Sequence, residues 1–127
     1  MTKIGFIGIG LMGAPMAKNL LKSKYQVKVF NRTKNKALKL KKFGAEVCNS
    51  LKEVVSDRDL IITMLSDDKA IKKIYFNSEF LKNLKAGSTV IDMSSANPKT
   101  AINLSKLLKK YKAVSYTHLT LPTIFRV

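Results

Sequence analysis

Gly8-Ile9-Gly10-Leu11-Met12-Gly13 lies between the apolar run Ile4-Gly5-Phe6-Ile7 and the helix-forming stretch Ala14-Pro15-Met16-Ala17-Lys18-Asn19-Leu20-Leu21. The run reads as a buried strand, and the glycines turn it sharply into a helix, which is the opening of a dinucleotide-binding unit. Each glycine has its own task. Gly8 permits the tight turn, Gly10 lets the backbone approach a pyrophosphate with no Cβ in the way, and Gly13 lets helix and strand pack closely. The helix start then offers unpaired N–H groups and a positive dipole end to phosphate oxygens. A glycine turn holding no ligand is the alternative, and the strand–turn–helix context argues against it.

Working outward, Gln26-Val27-Lys28-Val29-Phe30 alternates as a second strand and ends at Asn31-Arg32-Thr33. That position selects the cofactor: a carboxylate would accept bonds from the ribose 2′-hydroxyl of NAD, whereas an arginine accommodates the 2′-phosphate of NADP. No carboxylate is present. Arg32 can pair with the phosphate and lie against adenine, Asn31 and Thr33 can donate to phosphate or ribose oxygens, and Lys34 or Lys36 adds charge. NADP is therefore expected, with NAD the weaker choice. Thr33 can also cap the next helix, read as continuous over residues 34–43 and closed by Gly44.

Residues 45–48 read as a short strand, and Ser50 caps a brief helix that buries Leu51, Val54 and Val55. The nearly continuous apolar run Asp59-Leu60-Ile61-Ile62-Thr63-Met64-Leu65 suits a central parallel strand covered on both faces. Its carboxyl end sets Met64 and Leu65 along the nicotinamide half of the site. Asp67 and Asp68 read as caps of a helix over 69–75 rather than as acid–base groups. Residues 88–93 form the fifth strand. Ser94 and Ser95 follow it, as hydrogen-bond donors beside the nicotinamide or as caps before Pro98. Residues 100–110 are amphipathic, with Ile102, Leu104, Leu107 and Leu108 as the apolar stripe. A sixth strand is due after residue 113.

The 127 residues, 46% hydrophobic, suffice for one domain but not for a two-domain enzyme. With 24 Lys+Arg against 8 Asp+Glu, the net charge of +16 favours anionic partners. The lysines are spread through helices and rarely interleave with aromatics, so a solvated surface is preferred over a nucleic-acid site. Cys48, the only cysteine, excludes an internal disulfide, has no histidine spacing for zinc, and reads as a small buried apolar residue. A first strand close to Met1 leaves no room for a signal peptide, and no apolar run approaches the roughly 20 residues of a membrane span. These features lead us to expect a cytoplasmic protein without membrane contact.

Phe6-Ile7-Gly8-Ile9-Gly10-Leu11-Met12-Gly13-Ala14-Pro15-Met16-Ala17-Lys18-Asn19-Leu20, Asn31-Arg32-Thr33 and Asp92-Met93-Ser94-Ser95 together resemble the β-hydroxyacid dehydrogenase family. That family includes 3-hydroxyisobutyrate dehydrogenases, tartronate semialdehyde reductases and glyoxylate/succinic semialdehyde reductases. The resemblance covers about residues 3–112. It implies an α/β fold with a Rossmann-type doubly wound parallel sheet and a second, helical domain that is missing here. The cofactor-contacting positions it implies are Gly8, Ile9, Gly10, Leu11, Met12, Gly13, Asn31, Arg32, Thr33, Met64, Leu65 and Ser95. Asn31-Arg32-Thr33 looks like the NADP-using reductases rather than the NAD-using dehydrogenases, which tend to carry aspartate there. The 6-phosphogluconate dehydrogenases usually have alanine at the second glycine, so Gly10 sets the chain apart from that branch. Ser66 stands where the family commonly has proline.

The resemblance stops near Ala113. The family continues into a strand ending in Asp-Ala-Pro-Val-Ser-Gly-Gly and later presents a catalytic lysine on a helix of the second domain; neither occurs in these residues. Val114-Ser115-Tyr116-Thr117-His118-Leu119-Thr120-Leu121-Pro122-Thr123 instead looks like one translated frame of a transposase-type sequencing adaptor. We therefore read residues 1–113 as a truncated dinucleotide-binding domain with about five strands of six, and 114–127 as a non-native tail. His118 lies in that tail and receives no catalytic role. Lys109, Lys110 and Lys112 sit at the wrong point of the topology to replace the missing lysine. The expected function is binding NADP as part of an oxidoreductase that moves a hydride between NADP(H) and a small β-hydroxy acid or its semialdehyde or keto acid. The full-length protein is expected to be a homo-oligomer. The fragment itself is expected to be inactive and marginally stable, because it lacks an edge strand and a covering domain. The competing reading is a basic, non-catalytic module that binds nucleotides or nucleic acid.

Overall fold

In the computed structural model, β1 (Lys3–Ile7) pairs in parallel with β2 (Gln26–Phe30) on one side and β4 (Leu60–Thr63) on the other. The structure describes residues 2–10, 13–65, 68–93, 98–111 and 113–117, with the backbone alone for 68, 98–101 and 114–117. The remaining elements are α1 (Gly13–Lys22), α2 (Lys34–Leu38), a 3-10 turn (Lys41–Phe43), β3 (Glu46–Val47), α3 (Leu51–Val55), α4 (Asp68–Tyr75), α5 (Ser78–Lys82), β5 (Thr89–Asp92), α6 (Pro98–Lys110) and β6 (Val114–Thr117). The strand order β3-β2-β1-β4-β5-β6, all parallel, is that of the doubly wound dinucleotide-binding fold. The chain reverses direction between β1 and β4. Such a sheet binds ligands in the crevice outside the carboxyl ends of its strands at that switch point.

The strands are buried on both faces because adjacent residues serve different cores. Ile62 packs with Phe6, Val29 and Ala17 in the layer beneath α1 and α2. Its neighbour Ile61 packs with Ile7, Val54, Ile71, Phe80 and Leu108 beneath α3 to α6. That requirement is why residues 59–65 lack polar alternation. Gly5 marks a close approach of α3 to the sheet, because a Cβ there would lie 2.3 Å from the Val54 carbonyl oxygen. The α3 start is fixed by Ser50 Oγ, which accepts from Glu53 N–H at 3.2 Å, while the Glu53 carboxylate accepts from Asn49 N–H at 3.1 Å.

Three expectations are corrected. The sheet has six strands, not about five: β6 lies beside β5 in register from Thr89↔Val114 to Asp92↔Thr117. An open β5 edge offers unpaired backbone groups, and Val114, Tyr116 and Thr117 are strand-forming residue types irrespective of any family motif. The helix expected over 34–43 breaks after Leu38 and resumes as the 3-10 turn. No acidic residue occupies its first turn, and lysines at 36, 39 and 42 repel at helical spacing. Gly44 closes the segment in the left-handed region, φ 101°, as expected. Ile102 is 57% exposed, not part of the α6 stripe. At about 100° per residue it lies opposite Leu104 and Leu108, which are buried. Among the described residues, no helix is long and apolar enough to cross a membrane.

At the amino edge of the sheet, Lys3 Nζ pairs with Asp57 at 2.7 Å and Lys85 Nζ with Asp59 at 2.9 Å. The Asp59 carboxylate also accepts from Lys3 N–H at 2.9 Å. These bonds hold both carboxyls below their ordinary value of 3.8. A carboxyl lowered in the folded state contributes stability above the ordinary value and loses it as pH falls through the lowered one. Acid titration followed by circular dichroism should therefore show stability falling below pH 3.8, less steeply in high salt. Gly5→Ala should cost about 1–3 kcal/mol in denaturant unfolding through the Val54 clash, whereas Gly10→Ala, which meets none of the described residues within 4 Å, should cost far less.

Candidate cofactor site

Gly8 ends β1 with φ 100°, a conformation that L side chains rarely adopt. Its N–H donates to the Phe30 carbonyl at 3.0 Å, and a Cβ would lie 2.1 Å from the Met64 carbonyl oxygen. A Cβ on Gly13 would lie 2.3 Å from the Gly8 oxygen, so α1 can start this close to the strand only on a glycine. Gly10 differs. Among the described residues no atom beyond its chain neighbours lies within 4 Å of its Cβ position, so a side chain there would enter open space. That cradle fits a pyrophosphate. Ala14 N–H is bonded back to Gly10 O at 3.0 Å, which sets the first turn of α1 behind it.

The turn opens onto a cleft of about 480 Å³. One wall carries Asn31, Arg32, Thr33 and Lys36; the floor is apolar, with Ile7, Phe30, Met64 and Leu65; the other wall is α4. The structure thus brings together Gly8, Ile9, Gly10, Asn31, Arg32, Thr33, Met64 and Leu65. Gly13 stands behind the turn. Leu11, Met12 and Ser95 lie outside the described residues, as do Ser94, Asp67 and His118.

Two side chains in the Asn31–Thr33 turn behave differently. Thr33 precedes α2, but its hydroxyl makes no capping bond. Asn31 is engaged with backbone: its Oδ1 accepts from Ile9 N–H at 2.8 Å and its Nδ2 donates to Thr33 O at 2.8 Å. Sequence reading missed the second wall, where Ala70, Lys73 and Ile74 of α4 and Asn77, the cap of α5, line the cleft. The i, i+3, i+4 spacing of the three α4 residues was the available signal.

Beneath the cleft, Tyr75 of α4 and Asp92 of β5 meet on Thr63 of β4. Thr63 Oγ1 donates to Asp92 Oδ1 at 3.0 Å and bonds the Tyr75 hydroxyl, which must then be the donor to Thr63. Burial pushes the Tyr75 hydroxyl well above its ordinary value, and the Asp92 charge adds to the shift. The chain of bonds locks together three elements that frame the site. Cys48 is buried, and burial raises its thiol to about 11, which leaves no thiolate for nucleophilic work.

A glycine turn at the switch point of a 3-2-1-4-5-6 sheet, opening onto a cleft, defines a dinucleotide-binding domain. The chain belongs to the family described as the NAD binding domain of 6-phosphogluconate dehydrogenase, whose match runs over residues 3–117 and so through β6. The expectation drawn from Gly10 concerns a division within that family. The mitochondrial 3-hydroxyisobutyrate dehydrogenase of Mus musculus is 38% identical over 114 residues, covering 89% of this chain and 34% of that protein. Glyoxylate/succinic semialdehyde reductase 1 of Arabidopsis thaliana is 36% identical over 107 residues, covering 84% and 37%. Among solved structures, Mycobacterium tuberculosis 3-hydroxyisobutyrate dehydrogenase with L-serine superposes with a TM-score of 0.86 at 28% identity, covering 92% of this chain and 40% of that one. The chain thus spans about a third of the length of the curated relatives it matches.

The buried network has a measurable weight. Thr63→Val removes a partner from both Tyr75 and Asp92 at constant shape, and should cost about 2–4 kcal/mol in urea unfolding. A cost below about 0.5 kcal/mol would show that the network is replaceable.

Proposed function

We propose that the chain is the NADP-binding part of an oxidoreductase that moves a hydride between NADP(H) and a small β-hydroxy acid or the corresponding semialdehyde or keto acid. The observation that carries the cofactor choice is the wall at the end of β2. It presents Arg32 and Lys36 with an uncommitted Thr33 hydroxyl, and no carboxylate stands where NAD-selective sites place one. Gly8 and Gly10 hold the pyrophosphate against backbone N–H groups, Arg32 pairs with the 2′-phosphate, and Met64 and Leu65 support the nicotinamide half. Leu11, Met12 and Ser95 complete the contact set. Bound there, the nicotinamide supplies or takes up the hydride. The substrate class follows the two curated relatives, whose names specify a hydroxy acid and semialdehydes.

Hydride addition to a carbonyl also needs a proton donor at the developing alkoxide. The family resemblance assigns that role to a lysine of a helical second domain, and on that reading the 127-residue chain binds cofactor without turning over substrate. The whole protein acts as a homo-oligomer, and we place it in the cytoplasm. Residues 114–127 are of foreign origin; strand pairing at β6 depends on backbone groups rather than on provenance. Sequencing the source locus across the codon for Ala113 tests this, since a frame running on into a Ser-Gly-Gly strand supports it and an encoded Val114–Val127 followed by a stop overturns it.

Nucleotide fluorescence titrations of the full chain test the cofactor. One charge-assisted bond is worth about 1.5–3 kcal/mol, so NADPH should bind about ten- to a hundredfold more tightly than NADH, and Arg32→Ala should abolish the difference. Equal affinities in the unaltered chain would remove the NADP assignment. Turnover of glyoxylate or succinic semialdehyde by the purified chain would overturn the claim of inactivity.

A further inference from the structure

Asn31 stands between the two segments that grip the anionic parts of the cofactor. Ile9 offers it only a backbone donor and Thr33 only a backbone acceptor, so the orientation of the carboxamide is fixed by its partners. Alanine would lose both bonds. Aspartate would keep the bond from Ile9 N–H but set a lone pair against the Thr33 carbonyl. Asparagine satisfies both ends at once, and each distance is 2.8 Å. One side chain thus ties the glycine turn, which receives the pyrophosphate, to the turn from which Arg32 projects.

We infer that Asn31 is a positioning residue that couples the pyrophosphate and 2′-phosphate subsites, and that it does not itself discriminate between NADPH and NADH. The inference rests on the proposed NADP site. Arg32 reads the phosphate; Asn31 sets where Arg32 stands relative to the glycine turn. Losing Asn31 therefore loosens both subsites for either cofactor, and it also blunts whatever Arg32 contributes.

The test is a double-mutant cycle on the full 127-residue chain, with Kd values for NADPH and NADH from nucleotide fluorescence and thermal melting as the check on folding. N31A should weaken NADH about tenfold and NADPH about thirtyfold, the further threefold being the part of Arg32's contribution that is lost with the tie. R32A should weaken NADPH alone. The penalty of R32A on NADPH should shrink from about tenfold in the unaltered chain to about threefold or less in the N31A background, a coupling that general loss of stability does not produce. If N31A melts below the assay temperature, N31S takes its place and should cost about threefold on NADH and a larger factor on NADPH. An Asn31 variant that weakens NADPH and spares NADH would make Asn31 a direct 2′-phosphate contact and overturn the inference, as would one that changes neither affinity. Those outcomes leave the NADP site standing. Failure of the unaltered chain to bind either nucleotide removes the site itself, and the inference with it.

Discussion

The structure depends on how closely three strand ends meet at Gly8. Its N–H is bonded to the last residue of β2, its α-carbon lies against the carbonyl that follows β4, and its own oxygen is covered by the start of α1. A methyl group would clash with the Met64 oxygen, and the positive φ would strain any L side chain. Because that contact is tight, the carboxyl ends of β1, β2 and β4 are held level, and the cleft opens where they stop. Gly13 extends the same constraint to the helix. Gly10 is under no such packing constraint, so its lack of a side chain serves the space in front of the turn.

Charge is distributed along the strands in a way that suits such a cleft. Asp57 and Asp59 are paired with Lys3 and Lys85 at the amino edge, far along the strands from the glycine turn. Glu46 and Glu53 are occupied with Lys28 and with the start of α3. Among the described residues, the cleft lining, which includes Arg32, Lys36 and Lys73, contains no carboxylate. The formal excess of +16 is therefore not spread evenly in effect, since much of the acidic counterweight sits elsewhere. A dianionic phosphate approaching the carboxyl edge meets a field that its counterpart at the amino edge would not.

Much of this was legible in the sequence, and for identifiable reasons. The glycine turn, the strand before it and the cap at Ser50 are local devices, so spacing alone reveals them. The strand at 59–65 is announced by an uninterrupted apolar run because both of its faces are covered. What was illegible was set by tertiary contacts. The α4 wall lies in a helix whose pattern is dominated by the buried Ile71 and Tyr75, and Lys73 becomes a site residue only because α4 lines the cleft, with Asn77 brought in by the turn that follows it. The Asn31 bonds span 22 residues to Ile9, beyond the reach of any turn motif. The break after Leu38 comes from lysine repulsion, which a count of apolar residues does not register. Ile102 was misplaced by counting apolar residues without following their angles round the helix.

Tyr75 gives the molecule an optical property. The chain has no tryptophan, and of the tyrosines whose side chains are described, Tyr25 and Tyr111 are partly open to solvent, whereas Tyr75 is buried with its ring edge-on to Phe80 at 5.0 Å. A ring held rigidly in an asymmetric, water-free setting supplies a disproportionate share of the near-ultraviolet dichroism. Tyr75 belongs to the helix that walls the cleft, and its hydroxyl is bound to the strand that carries Met64 and Leu65. The contribution of Tyr75 to the aromatic signal therefore follows the seating of α4 against the sheet without any added label.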